Sequence, residues 1–222
     1  EFVERRIKDG RILKLIRRIL TAGAMEEGRF IPTTRGIPQG GNLSPLLANI
    51  YLHYVLDSWF CELKFTGQAR LIRYMDDFIA VFESETDATQ FMELLRERLE
   101  KHGLSVNTDK SAVFDLTRRE SFNFLGFTHT PDGGRSVNRV TAGERIEKNV
   151  GAIRAVLQAI HTDRELKEWW DDVVDTLRGH YEYYGLAGNE QAVREFYDTI
   201  RKNIDQWVME KCVGRHFNYA KY

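Results

Sequence analysis

The chain has 222 residues, 42% apolar and 12% aromatic, a balance that excludes a disordered or collagen-like polypeptide. Lys and Arg number 32 against 33 Asp and Glu, a net charge of -1, so no overall excess of base announces a nucleic-acid partner. No apolar run reaches the roughly 18 residues of a membrane span, and the length suits one large domain or two small ones.

Glu1 to Arg6 reads as the end of a helix already under way, so the sequence is expected to be a piece of a longer protein. Ile12, Leu13, Ile16 and Leu20 recur at helical spacing and predict a helix over about 11–21 with a basic outer face, stopped at Gly23. Arg35 to Gly41 is a loop rich in glycine. Ser44-Pro45 has the form of an N-cap followed by proline at the first helical position, and Leu47, Ile50, Tyr51, Tyr54 and Val55 mark one face of the helix that follows. Two short strands, 70–74 and 78–82, flank an acidic hairpin turn. Ala88, Phe91, Met92, Leu95 and Leu99 mark the next helix, which Gly103 ends. Strands are expected near 111–116 and 121–129, then a turn at Pro131 to Gly134 and a strand over 135–139. From Thr141 strand signals cease, and helices are expected at 143–160, 165–184 and 190–212. This divides the chain into an α/β part, 1–140, and an all-helical part, 141–222.

Cys61 and Cys212 are the two cysteines, and no CxxC or Cys/His set surrounds them. A zinc site or disulfide framework is not expected, and the reading is a cytoplasmic protein. The six histidines show no ligand spacing.

Tyr74-Met75-Asp76-Asp77 is the sharpest chemical feature. Two carboxylates in a tight turn between apolar strands cannot diffuse apart, and their oxygens suit hard divalent cations such as Mg²⁺. Two such ions about 4 Å apart can activate an attacking hydroxyl and stabilise a leaving oxygen in phosphoryl transfer. A bare Asp-Asp pair is ordinarily a solvated turn; the flanking strands and the upstream glycine-rich loop favour the metal-binding reading.

The run from Arg35-Gly36-Ile37-Pro38-Gln39-Gly40-Gly41 through Ser44-Pro45 to Leu52 resembles the PQG block of group II intron reverse transcriptases, and Tyr74 to Asp77 resembles their YxDD box. Gly103 to Asn107, Lys110 and Phe122 to Phe127 continue in the family's order, and Leu177 to Gly185 resembles its thumb, or maturase domain X. The resemblance implies an α+β polymerase palm, a small antiparallel sheet with helices on one face, followed by a helical thumb. It implies an RNA-directed DNA polymerase that extends a DNA primer on an RNA template with dNTPs, using two Mg²⁺ ions (or Mn²⁺), within a ribonucleoprotein that also binds intron RNA. By that resemblance Asp76 and Asp77 are the catalytic metal ligands, with Tyr74 and Met75 against the primer terminus. Gln39 and Gly40 meet the template base or nucleotide, Lys110 the dNTP phosphates, and Leu125 and Gly126 belong to the primer grip. Arg5, Arg6, Arg11 and Arg178 are candidates for RNA contact, while Tyr181, Tyr184 and most of Phe122, Phe124 and Phe127 read as core.

Two departures stand beside the resemblance. The family's further metal-binding Asp lies on a strand upstream of residues like Glu1 to Ile7, so this chain alone is expected to be inactive, with the activity belonging to a longer parent. Met75 occupies a position where group II intron enzymes more often carry Ala and retroviral ones Met. The alternative function is a splicing cofactor that binds RNA without polymerising, which the two intact acids argue against; a third is an unrelated Mg²⁺ phosphohydrolase, which would need more ligands nearby. The neutral total charge then becomes an average: residues 5–18 hold seven basic side chains against Asp9, beside the acidic hairpin and acidic helices.

Overall fold

The computed structural model describes residues 1–26, 29–31, 43–134, 136–158 and 166–212. Two compact units divide the chain, Glu1–Val113 and Phe114–Tyr222.

In the first unit a single 3₁₀ turn, Val3–Arg5, precedes α1, Gly10–Thr21, which starts on an Asp9 cap that accepts the Arg11 amide. A short hairpin of β1, Ala24–Glu26, and β2, Arg29–Ile31, follows; three residues a side are too few to show alternation, so periodicity does not reveal it. The next helix runs in three segments: α2, Ser44–Leu52, a π-helical turn, His53–Asp57, and α3, Ser58–Glu62. Ser44 is not the cap. Leu43 is already helical, its carbonyl accepts the Leu47 amide at 3.0 Å, and the helix therefore starts one residue before the predicted point, with Pro45 still inside the first turn, where its missing N–H costs nothing. Strands β3, Ala69–Tyr74, and β4, Asp77–Phe82, form an antiparallel hairpin, and α4, Glu85–Lys101, returns across it.

The strand period sorts the hairpin into two faces. Ala69, Leu71, Phe78, Ala80 and Phe82 face α4, whose Phe91, Leu95 and Leu99 are buried at four-residue spacing with Val55, Leu56 and Phe60. Asp87, 2% exposed, ties the first turn of α4 to the loop before β3. Burial opposes its charge, but hydrogen bonds from the Thr66 hydroxyl and the Gly67 and Thr66 amides outweigh that and hold its carboxyl below the usual range. Gly103, at φ 71°, closes α4: its amide reaches the Glu100 carbonyl and the Leu104 amide reaches Leu99, a two-bond termination that needs a left-handed residue.

The strand expected near 111–116 is absent. Residues 111–115 pair with no neighbour, and Asp115 instead caps a 3₁₀ turn, Leu116–Arg118, by accepting from the Thr117 amide and hydroxyl. The predicted strand at 121–129 is two strands, β5, Phe122–Phe124, and β6, Phe127–Pro131, and β7, Val137–Thr141, completes the sheet in the order β5-β6-β7. Three helices follow: α5, Gly143–Gln158, α6, Leu166–Tyr184, and α7, Glu190–Cys212. Val150, Ile153, Leu157, Val173, Phe196 and Ile200 form their shared core.

The compact units do not divide where strand signals cease, near 140. The β5-β6-β7 sheet belongs with the helices because the end of α6 covers it: Phe127 stacks on Tyr183 and meets Tyr184 at a tilt, with ring centroids 5.8 and 5.1 Å apart. Asn189, before α7, accepts the Thr141 amide at 2.9 Å and donates to its hydroxyl at 2.7 Å.

Candidate active site

The β3–β4 register pairs Tyr74 with Asp77 and leaves Met75 and Asp76 as a two-residue loop. Such loops match the twist of the strands only with positive φ at the first central residue, a place usually filled by Gly or Asn. Met75 occupies it at φ 55°. A long side chain held left-handed is strained, and it persists only where its surroundings fix it. Asp76 in the loop and Asp77 at the first position of β4 are both exposed, with Tyr74 57% and Met75 43% exposed beside them. Four predicted site residues thus meet at one hairpin tip. Among the described residues, no group of three or more acidic, His or Cys side chains converges there. Mg²⁺ commonly takes one or two carboxylates and fills its remaining positions with water and substrate phosphates, so the two carboxylates are a donor set that fits it.

Behind the tip lies a polar cluster that sequence reasoning missed. Arg73 sits on the inner register of β3, between Leu71 and the turn, with its side chain only 12% exposed. Its Nε and Nη2 donate to the two Asp57 carboxylate oxygens at 2.7 and 2.6 Å, and Nη1 donates to Asn49 Oδ1 at 2.7 Å and to the Met75 carbonyl. The Arg73 hydrogen bonds hold the Asp57 carboxyl below the usual carboxylate range, against the opposing effect of burial, and His53 Nδ1 lies 3.5 Å away. A signal was present in the sequence. The apolar alternation of β3 turns Arg73 inward, and an inward cation requires a partner.

Asn49 and Asp57 can both reach Arg73 because of the π-turn between them. In an unbroken α-helix, positions eight apart lie about 80° from each other around the axis. The wider π-turn takes up most of that angle, and such turns recur at functional sites.

Gln39 and Gly40 lie outside the described residues. Lys110 is exposed in a turn closed by its own amide to the Asn107 carbonyl. Arg5 lies over the rings of Phe2 and Tyr54, at 5.1 and 4.7 Å, Arg6 is exposed, and Arg11 pairs with Asp9 at 3.0 Å. Leu125 and Gly126 belong to the second unit, as the two-residue loop between β5 and β6, at φ 50° and 81°. That loop is held from α6 and from the residue after β7: Tyr183 Oη donates to the Leu125 carbonyl at 2.9 Å, and the Ala142 amide donates to the Gly126 carbonyl at 3.0 Å. Arg178 is exposed, 3.4 Å from Asp175. Tyr184 is buried and Tyr181 packs against the helical core, as expected of them.

Comparison with known proteins gives these features a setting. Residues 4–129, more than half of the chain, match the family described as reverse transcriptase (RNA-dependent DNA polymerase). The group II intron-encoded protein LtrA of Lactococcus lactis subsp. cremoris is 51% identical over 59 residues, 27% of this chain and 10% of that protein. Protein YkfC of Escherichia coli (strain K12) is 40% identical over 72 residues, 32% of this chain and 19% of its own length. The telomerase reverse transcriptase of Rattus norvegicus is 32% identical over 87 residues, 39% of this chain and 8% of that protein. The chain thus spans a small part of the relatives it matches.

Proposed function

The chain belongs to the reverse transcriptase (RNA-dependent DNA polymerase) family, and we propose that its β3–β4 hairpin carries carboxylates of a polymerase centre that extends a DNA primer on an RNA template. The observation that supports this most directly is the exposure of Asp76, in the two-residue turn, and of Asp77, the first residue of β4, side by side at one hairpin tip inside the matched region. Mg²⁺ bound there supplies charge neutralisation for the attacking and leaving oxygens of nucleotidyl transfer. The chain's own residues do the rest. Asp76 and Asp77 hold the cation. Tyr74 and Met75, exposed on either side of the loop start, offer a ring and a thioether to the primer terminus.

Lys110 brings positive charge toward dNTP phosphates, and Gln39 and Gly40 meet the template base or nucleotide. Leu125 and Gly126, on the loop braced by Tyr183, form the primer-grip turn. Arg5, Arg6, Arg11 and Arg178 contact RNA backbone; because Arg11 and Arg178 have acidic neighbours, such contacts exchange one ion pair for another and depend on salt. Intron RNA, within a ribonucleoprotein, is proposed as a further partner, a reading supported by likeness to a group II intron-encoded protein.

The test pairs primer extension on an RNA template with Mg²⁺, where extension is measurable, with Mn²⁺ binding, which needs no turnover. Asp76→Asn and Asp77→Asn are each expected to lower the rate by about a hundredfold or more. Affinity for RNA should stay within about twofold, because the substitutions remove negative charge without touching a basic side chain. Extension that persists unchanged in both variants would show that the turn is not the polymerase centre.

A further inference from the structure

The Arg73 cluster is built more elaborately than holding a hairpin to a helix requires. A simple anchor would need the two bonds to Asp57. The third nitrogen, Nη1, instead bridges Asn49 Oδ1 and the carbonyl of Met75. That carbonyl belongs to the peptide joining Met75 to Asp76, the central link of the carboxylate-bearing loop. One rigid guanidinium thereby connects two points of a helix to the peptide whose plane sets the direction in which Asp76 leaves the backbone.

We propose that Arg73 is a positioning residue for the Asp76–Asp77 turn, with Asn49 and Asp57 as its fixed anchor. The inference rests on the polymerase reading above and names a device within it. Three observations carry it. Met75 is held at φ 55°, a conformation that its side chain disfavours and that a hydrogen bond on its carbonyl helps to hold. The guanidinium is nearly enclosed, so its hydrogen bonds do not exchange freely with water. The π-turn places both anchor side chains on the side of the helix that faces β3, at the expense of regular α-helical hydrogen bonding.

The chemistry explains why arginine is required. A planar fork satisfies the carboxylate at two points and keeps a third nitrogen in the same plane for the amide oxygen and the peptide carbonyl. A lysine ammonium at this position keeps the charge, but as a single point donor it cannot reproduce the two-point grip on Asp57 while also bridging Asn49 and Met75. The expected result of Arg73→Lys is therefore a hairpin that still folds, with a turn whose carboxylates are no longer held in one direction. Removing a group that orients metal ligands characteristically costs about 10- to 100-fold in cation affinity or rate.

The experiment compares wild type, Arg73→Lys, Asn49→Ala, Asp57→Asn and Asp76→Asn in the full chain. Mn²⁺ binding is followed by the electron paramagnetic resonance of the free ion, and thermal unfolding is measured on the same samples. Where primer extension is measurable, kcat and the dNTP KM are separated. The expected pattern is Mn²⁺ binding that Asp76→Asn abolishes and that Arg73→Lys weakens by about tenfold or more. Asn49→Ala and Asp57→Asn should weaken it by smaller factors, and the loss in extension should fall on kcat rather than KM. Wild-type Mn²⁺ affinity in a folded Arg73→Lys protein overturns the proposal and leaves the polymerase reading standing. If Arg73→Lys does not fold, Asn49→Ala and Asp57→Asn decide: both keep the guanidinium while loosening its anchor, and unchanged affinity in the two overturns the proposal. Mn²⁺ binding and extension that both ignore Asp76→Asn would instead overturn the polymerase reading itself.

Discussion

Asn189 joins the end of β7 to the α6–α7 connection, and the cost of removing it can be worked out bond by bond. The residue is 2% exposed and Thr141 4%. Its side chain accepts the Thr141 amide at 2.9 Å and donates to Thr141 Oγ1 at 2.7 Å and to the Tyr184 carbonyl at 2.8 Å. In Asn189→Ala the Tyr184 carbonyl keeps the Leu186 amide, but the Thr141 amide and hydroxyl lose their partner in a dry site. At about 1 kcal/mol for each bond lost, and more for a donor left buried, the expected destabilisation is about 3 kcal/mol. Asn189→Asp keeps the volume and the acceptor. It loses both donations and places a carboxylate among oxygens, so at neutral pH its cost should equal or exceed that of alanine. Lowering the pH should recover part of it, since the neutral acid can donate once. The assay is urea unfolding of the three proteins, with hydrogen exchange at the Thr141 amide as the local report. An aspartate variant as stable as wild type at pH 7, or a Thr141 amide equally protected in the alanine variant, would refute the reasoning.

His180 and Gly126 give two further expectations. His180 is buried against Phe196, its Nδ1 accepts from Asn149 Nδ2 at 2.9 Å, and burial lowers its pKa to about 4. Its folded pKa lies below the unfolded value, so the unfolded chain binds the proton first. The stability that neutral His180 contributes is full above about pH 6.5 and is lost as the pH falls toward about 4, by at most about 3 kcal/mol. Replacing His180 by Leu should flatten that part of a stability–pH profile, and an unaltered slope would count against the assignment. A methyl group at Gly126, where φ is 81°, would lie 2.6 Å from the Tyr184 hydroxyl. Gly126→Ala is expected to cost about 1–3 kcal/mol in thermal or urea unfolding, with Tyr184→Phe in the same chain restoring part of it.

What could be read from the sequence followed from periodicity. The long helices were legible to within a few residues because Phe91, Leu95, Leu99 and their counterparts in α5 to α7 repeat at helical spacing over many turns. The acidic hairpin was legible because apolar alternation stops at Tyr74 and resumes at Phe78. The strand near 111–116 was misread because Ser111 to Leu116 has the composition of a strand, whereas pairing depends on a neighbour that local sequence cannot specify; there Asp115 recruits the backbone into a turn. At the candidate site, the carboxylates were visible as a motif, but the arrangement behind them was not. Asn49, Asp57 and Arg73 are far apart in the chain and ordinary one by one, and only the fold shows that a single guanidinium joins them.

The π-turn at His53–Asp57 also changes how the stretch from Ser44 to Glu62 should be understood. It looks like one rod, but it behaves as two rods keyed together out of phase. A helical wheel drawn through all of it would smear the apolar stripe, which is why the face read from Leu47, Ile50, Tyr51, Tyr54 and Val55 does not extend smoothly to Phe60. A single-residue deletion inside the key would restore regular winding and could even favour the helix as a helix. It would also turn everything beyond it, so that either Phe60 leaves the core or Asp57 leaves Arg73. Length at this point is therefore under a constraint of its own: the spacing between Asn49 and Asp57 is a gear ratio between the core and the acidic turn.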